Sequence, residues 1–167
     1  AIMSAIDLHF TVSTKAEITL EANPDDLSQD KLKMLKHNGI NRLSIGIQSF
    51  FDSDLEWMNR SHNTMQSHQC LEWALKEGFN NMSIDLIFGS PSTSDIQWKK
   101  NLELAVEYGI RHLSCYGLTV EEGTALEYFI KNGKSKAPSD QSALQQFEYA
   151  MSFLADEGYI QYEISNY

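Results

Sequence analysis

The chain is poor in the residues that build disulfide frameworks and metal sites. It has 2 cysteines among 167 residues, and Cys70 and Cys115 both lie in apolar surroundings. No CxxC, no HExxH and no cluster of His and Cys occurs, so the chain alone offers no closed metal site. We therefore expect two reduced thiols in the core of a cytoplasmic protein.

Basic residues are also scarce. The 13 Lys and Arg against 23 Asp and Glu give a net charge of −10 and form no basic stripe, so we expect no nucleic-acid partner. No apolar run approaches the roughly 20 residues of a membrane span, and residues 1–10 lack the charged start and apolar stretch of a signal peptide. The glycine-rich phosphate-binding motifs GxGxxG and GxxxxGK[ST] do not occur, so the sequence gives no support for a nucleotide site built around phosphate binding.

One phrase does occur, in three copies: GINRLSIGI from Gly39, GFNNMSIDL from Gly78 and GIRHLSCYGL from Gly109. Glycine after an amphipathic stretch is a common helix end, and the apolar run that follows it is typical of a buried strand. The copies start 39 and 31 residues apart, which is the length of a βα unit. The pattern predicts an α/β fold, whose parallel strands collect a ligand at their carboxyl ends.

The same reasoning predicts the elements along the chain. Strands are expected at 16–22, 42–48, 82–88 and 112–119, with a fifth from Ile160. Helices are expected at 1–10, from a Ser28 cap to Gly39, at 64–77, at 95–108 and at 142–157, with a loop or short helix before Arg60 and a connection through 121–133. The last helix should bury a stripe made of Leu144, Phe147, Met151 and Leu154. Residues 1–167 are expected to form one partial domain, a half-barrel or open parallel sheet cut at both ends.

Three predicted strands carry a polar residue at or near the carboxyl end, namely Glu21, Gln48 and Asp85. A strand buried on both faces should be nearly all apolar, and an unpaired buried carboxylate costs several kcal/mol. Asp85 alternates with Ile84 and Leu86, so it should point away from the helices to the inside of the curve.

Each of these residues also has a structural interpretation. Glu21 could cap the following turn, Gln48 could be a satisfied amide, and Asp85 could hold a backbone amide. Arg60 alone would be a solvated surface residue, or it could hold a carboxylate. Taken together, the strand-end residues favour one ligand site for hydroxyls and amines, such as a ribose or an amino-acid head group.

Several motifs together carry a family resemblance: EITLEANPDD, RLSIGIQSF, MNRSHN, SIDLIFGSP, YGLTVEEGTALEYFIKNGK and YEISNY. From about Ala16 to Tyr167 the chain resembles the radical S-adenosylmethionine (SAM) proteins of haem metabolism. These comprise the oxygen-independent coproporphyrinogen III oxidases and the HemW-type haem chaperones, and the last two motifs are more similar to the chaperone branch. The resemblance implies a partial (β/α) barrel of the radical SAM type.

The resemblance also implies a cofactor site. By motif, SAM contacts fall on Glu21, Gln48, Arg60 and Asp85, and the backbone near Thr119 would contact the adenine. Arg60 enters this set through the resemblance. The family's [4Fe–4S] cluster is held by a CxxxCxxC loop, and a glycine-rich stretch helps to hold SAM. Neither is present in these residues, and Ser90 replaces a usual leucine.

These departures predict that residues 1–167 are the core of a longer protein, lacking the cluster-binding part and the C-terminal part. The resemblance implies that the intact protein cleaves SAM to a radical in an oxidase, or binds and transfers haem in a chaperone. It leaves open which branch applies, and the fragment alone should be inactive.

Two other functions stay open from the residues themselves. One is an ordinary cluster-free barrel enzyme acting on a small polar substrate through Glu21 and Asp85. The other is a non-catalytic βα interaction module whose strand-end acids are structural. A cut barrel should also expose sheet edges and self-associate through them.

Overall fold

A computed structural model describes residues 2–167 of the chain. Within them the strands are β1 (Thr19–Ala22), β2 (Arg42–Gln48), β3 (Met82–Phe88) and β4 (His112–Gly117). The helices are α1 (Ile2–His9), α2 (Gln29–His37), α3 (Asp52–Trp57), α4 (Thr64–Lys76), α5 (Asp95–Glu107), α6 (Ala125–Lys131) and α7 (Asp140–Asp156), with a 3-10 turn at Pro24–Asp26. The helix predicted from residue 1 begins at Ile2, and residue 1 itself lies outside the described residues. Every described helix is too short or too polar to cross a membrane.

The four strands form one parallel sheet in the order β1-β2-β3-β4. Right-handed crossovers between sequential parallel neighbours place their helices on the same face of the sheet. A doubly wound sheet instead reverses its strand order and carries helices on both faces. The predicted α/β fold is therefore confirmed, and its strand order is that of a barrel segment.

The helix ends follow the local sequence signals. The Ser28 side chain accepts a hydrogen bond from the Lys31 N–H, as the predicted cap requires. Asn63 and Gln66 form a reciprocal capping box at the start of α4. Gly39 follows α2 with a φ of 88°, a conformation that glycine adopts at little steric cost. These local signals determine where the helices begin and end.

The core lies between one face of the sheet and the helices. Leu43 and Ile45 of β2 and Ile84 and Leu86 of β3 are fully buried. They belong to one apolar cluster with helix residues that include Leu32, Leu71, Trp98, Leu102 and Leu154. Burial of this kind contributes about 1.5–3 kcal/mol for each large side chain, so the helix-facing side dominates the stability of the fold.

The first and last strands are shorter than predicted, and one predicted connection contains a helix. β1 begins at Thr19 because the backbone before it bonds to Asn41, whose side chain accepts from the Ile18 N–H and donates to the Ala16 carbonyl. β4 ends at Gly117, two residues before the predicted end. The predicted connection through 121–133 contains α6, which is capped by Thr124 and buries no residue.

The predicted stripe of α7 was also partly wrong. Leu154 is buried, but Leu144 and Met151 are 55% and 40% exposed. The buried positions include Gln146 and Ala150. Gln146 is buried because its side chain bonds to the Gly89 N–H and the Thr93 carbonyl. Polar contacts to the loop after β3 thus set the rotation of this helix.

The predicted fifth strand from Ile160 is replaced by an antiparallel contact with the free edge of β4. Leu113 and Tyr167 exchange backbone hydrogen bonds of 3.1 and 2.9 Å, and the Cys115 N–H donates to the Ser165 carbonyl at 2.7 Å. The bridge pairs Ser114 with Asn166. This edge is therefore covered, in contrast to the open edge that we expected there.

Candidate functional site

The sheet face opposite the helices is lined with polar side chains. Alternate residues of each strand point to it, because side chains alternate along a strand. The strand register places Glu21 beside Ser44, Ser44 beside Ser83, and Asp85 beside Ser114. The polar groups on this face need hydrogen-bond partners, which a polar ligand or solvent can supply.

A cavity of about 520 Å³ lies on this face, within the range of small-molecule sites. It is lined by three of the four predicted site residues, Glu21, Gln48 and Asp85. Its other walls come from Ala22, Asn23, Asp26, Arg42, Ser44, Gly46, Ser83, His112, Ser114 and Tyr116. The structure therefore brings together side chains that are far apart in the sequence. The predicted inward direction of Asp85 is confirmed, although Asp85 lies in the middle of β3 and not at its end.

Three carboxylates line this cavity, from Glu21, Asp26 and Asp85. Glu21 is exposed and Asp85 is half-buried, and no ion pair among residues 2–167 includes either of them. Burial is the main cause that raises the pKa of Asp85, and the Glu21 charge raises it further. The Ser114 hydroxyl and the charges of His112 and Arg60 act in the opposite direction. The site is thus electronegative and suits a ligand that carries a positive charge.

Gln48 closes β2 with a buried side chain, 7% exposed, and a φ of 65°. This left-handed conformation is uncommon for a residue with a side chain. The next residues form a buried network in which Ser49 Oγ donates to Asp54 at 2.7 Å and Asn101 accepts from the Phe50 N–H at 2.8 Å. Backbone strain of this kind is often found at functional sites.

Arg60 lies apart from the other predicted residues. It is exposed and lines a second cavity of about 690 Å³. The walls of this second cavity are largely apolar and include Trp57, Met58, Leu118, Leu126 and Phe129. Ile87, which also lines this cavity, is on the same face of β3 as Asp85, so the two cavities are adjacent. Thr119 lines neither cavity.

Sequence reasoning missed His112 as a site residue. Its Nδ1 is 2.6 Å from Ser83 Oγ and its Nε2 is 2.6 Å from the Tyr162 hydroxyl. Burial and the Arg42 charge lower its pKa, so the ring is mostly neutral at pH 7. The signal was available, because His112, Ser114 and Tyr116 alternate along β4 in phase with the cavity.

Two other histidines in the middle of the chain, His62 and His68, are structural. His62 Nε2 is 3.1 Å from the Ile47 carbonyl, which only accepts, so this nitrogen carries the proton. Burial lowers the pKa of His62. His68 bonds to the Tyr108 hydroxyl at 2.8 Å and stacks on Phe50.

The comparisons with known proteins identify the family. The Radical SAM superfamily description matches residues 3–105, more than half of the chain. The chain belongs to the radical SAM superfamily.

Relatives with known names place it beside the haem-related members. The chain is 38% identical over 155 residues to the "Heme chaperone HemW" of Bacillus subtilis, which covers 93% of this chain and 41% of that protein. It is 33% identical over 167 residues to "Radical S-adenosyl methionine domain-containing protein 1, mitochondrial" of Danio rerio, covering 100% of this chain and 38% of that protein. The chain thus spans about two fifths of the length of the curated relatives it matches.

A solved structure supports the same placement. The coproporphyrinogen III oxidase HemN of Escherichia coli, described as a radical SAM enzyme, matches with a TM-score of 0.83 and 27% identity. The match covers 99% of this chain and 38% of that protein. The chain is therefore a HemN- and HemW-like radical SAM sequence, as the motifs indicated. The radical SAM family implies SAM and a [4Fe–4S] cluster as cofactors.

The first cavity fits SAM by its chemistry. SAM carries a sulfonium, an ammonium and two ribose hydroxyls. Carboxylates attract the two cationic groups and accept hydrogen bonds from the ammonium and the hydroxyls. The cavity also has no Cβ at Gly46, where a methyl group would meet the Gln48 amide. Carboxylates, amides and hydroxyls therefore surround a space that a polar cation can fill.

The residues described do not fit the cluster. Among residues 2–167 no group of three or more His, Cys, Asp or Glu side chains could hold a metal ion. Cys70 on α4 and Cys115 on β4 are both buried and unpaired. Neither thiol lines the first cavity. We therefore assign no cluster ligand to this part of the chain.

The two thiols should resist alkylation in the native state. Burial raises the pKa of each from 9.0 to about 12, so the reactive thiolate is roughly a thousandfold rarer than for an exposed cysteine. We expect no modification by iodoacetamide at pH 8 over an hour, and two modified sites in guanidinium chloride, measured by mass spectrometry. Rapid native labelling at Cys70 or Cys115 would contradict the buried placement.

Proposed function

We propose that the polar face of the sheet is one wall of a SAM pocket. The observation that carries the proposal is the convergence of Glu21, Gln48 and Asp85 on one cavity from three successive strands. The carboxylates hold ribose hydroxyls or the methionine ammonium and attract the sulfonium. Bound together with a reduced iron–sulfur cluster, SAM supplies the radical chemistry of the family.

Arg60 completes the proposed site from the side. Its charge acts on Asp85 across the boundary between the two cavities. A guanidinium is the side chain best suited to a bidentate pair with a carboxylate. We place the methionine carboxylate near Arg60 and the ribose near Glu21 and Asp85. The positive and negative groups of SAM would then each lie near a side chain that can bind them.

Titration of the chain with SAM tests the pocket. We expect weak but saturable binding, followed by saturation-transfer NMR, and tighter binding of SAM than of S-adenosylhomocysteine, which lacks the sulfonium charge. Glu21→Gln should weaken SAM binding about 10-fold, since a hydrogen bond to a charged group contributes about 1.5–3 kcal/mol. Glu72→Gln, on the exposed side of α4, is the matched control. Equal affinity for the two compounds, or an unaffected Glu21→Gln, would contradict the proposal.

We further propose that the protein handles haem or a porphyrin. The support is its likeness to a haem chaperone and to a coproporphyrinogen III oxidase. The protein made from the whole gene, prepared without oxygen, should either bind haem with a Soret shift or consume coproporphyrinogen. Haem binding without turnover favours a chaperone, and turnover favours an oxidase. The function would be contradicted if the protein showed no haem binding and no turnover, or if the gene encoded no CxxxCxxC motif ahead of residue 1.

We also propose a cytoplasmic location. Both cysteines are unpaired and buried, which is the usual state of thiols in a reducing compartment. Fractionation of cells that make the protein from its own gene would test this, and recovery with an organelle or a membrane would contradict it.

A further inference from the structure

The backbone of Gln48 forms a tight turn in a conformation that is unfavourable for a residue with a side chain. The Ser49 N–H donates to the Ile47 carbonyl at 2.8 Å, which closes a three-residue turn around Gln48. With a φ of 65° at its centre this is the geometry of a classic γ-turn, which is rare and strained. Other contacts must therefore hold the turn in place.

The buried network after β2 supplies these contacts. Ser49 Oγ donates to Asp54 at 2.7 Å and accepts from Asn101 Nδ2 at 3.1 Å. Asn101 also accepts from the Phe50 N–H at 2.8 Å. All four residues are buried. The backbone on the carboxyl side of Gln48 is thus fixed by α3 and α5, on the helix side of the sheet.

Gly46 makes room for the side chain on the other side. A methyl carbon at Gly46 would lie 2.8 Å from Gln48 Nε2 and 3.4 Å from Asn23 Oδ1. The Gln48 side chain therefore runs back along its own strand and lies over Gly46, at the cavity. The φ of Gly46 is outside the left-handed region, so its backbone does not require glycine. The missing side chain is the feature that matters.

We propose that Gly46 is a positioning residue for Gln48 in the SAM site. It leaves the space in which the Gln48 amide lies on the cavity floor, while the buried network fixes the turn that aims the side chain there. The inference rests on the proposed SAM pocket. The atom that a new methyl group would meet is the end of a flexible side chain, so Gly46→Ala should move the amide and leave the fold intact.

The test uses Gly46→Ala, Gln48→Ala and the double variant of the full chain, with SAM as the probe. We expect each single variant to weaken SAM binding roughly 2- to 10-fold, the effect of one hydrogen bond. The double variant should bind no more weakly than Gln48→Ala, because both changes remove the same contact. Gly46→Ala should keep the wild-type Tm and shift the side-chain amide signals of Gln48 in NMR spectra without ligand.

Gly117→Ala is the matched control, since its new methyl group would meet the Phe88 ring and not Gln48. It should leave SAM binding and the Gln48 signals unchanged. Wild-type affinity in Gly46→Ala, unchanged Gln48 signals, or additive losses in the double variant would overturn the inference. If Gln48→Ala binds normally while Glu21→Gln does not, the SAM pocket stands and only the role of Gly46 fails. If the wild type does not bind SAM, the proposed function fails, and the amide signals still report on the packing.

Discussion

Replacing Asp85 with asparagine is expected to weaken SAM binding about 10- to 100-fold while making the chain without ligand more stable at pH 7. The loss of affinity follows from removing a carboxylate that faces the cavity. The gain in stability follows because Asp85 is half-buried, has no ion pair among the described residues and lies on the same face as Glu21. A residue kept at a cost to stability is typical of a functional site.

The pH dependence of this gain has a definite sign. Burial raises the pKa of Asp85 above its ordinary value of 3.8, so the folded chain binds this proton more tightly than the unfolded chain. Wild-type stability is therefore lost as the pH rises through the window between the two pKa values, and the penalty is complete above the raised pKa. The stability advantage of Asp85→Asn should be greatest at pH 7 and should shrink as the pH falls toward 4.

Thermal unfolding at several pH values and SAM titration of the same samples measure both effects. Asp30→Asn is the matched control, because the Asp30 side chain is 98% exposed on α2. It should change neither the affinity nor the Tm by much. A less stable Asp85→Asn with unchanged SAM affinity would show that the carboxylate is structural, as the interaction-module interpretation requires.

Much of the fold was predictable because its signals are local. The repeated glycine phrase marks where helices end, and the predicted bounds of β2 and β3 coincide with the observed ones. α6 was missed because it has only 7 residues and buries none of them. The antiparallel contact between β4 and Ser165–Tyr167 was missed because it depends on long-range pairing, which no local pattern reports.

The site was predictable in part for the same reason. Asp85 stands out within an apolar run, and alternation fixes its direction. The serines and His112 on the cavity face share that alternation, yet small polar residues in a strand are a weak signal. Arg60 could not be placed, since its position depends on how α3 ends beside β3. The turn at Gln48 was also hidden, because the residues that hold it come from α3 and α5.

Replacing Asn101 with alanine should destabilise the chain by about 2–4 kcal/mol. Helix propensity alone predicts the opposite, since alanine in a helix interior is favoured over asparagine by roughly 0.5 kcal/mol. The variant, however, leaves the buried Phe50 N–H without its acceptor and removes one of the hydrogen bonds that the Ser49 hydroxyl accepts. An unsatisfied buried group costs about 1–3 kcal/mol, and the lost volume adds to this, so the tertiary effect should exceed the propensity gain.

Urea unfolding of Asn101→Ala beside Asn80→Ala separates the two contributions. Asn80 is exposed in the turn between α4 and β3, and its replacement should change the free energy of unfolding by less than about 0.5 kcal/mol. Because Asn101 also fixes the backbone after Gln48, the same variant should weaken SAM binding under conditions in which it is fully folded. A stable Asn101→Ala would mean that the bonds across α5 do not hold the turn. Lost stability with intact binding would mean that Gln48 keeps its position without them.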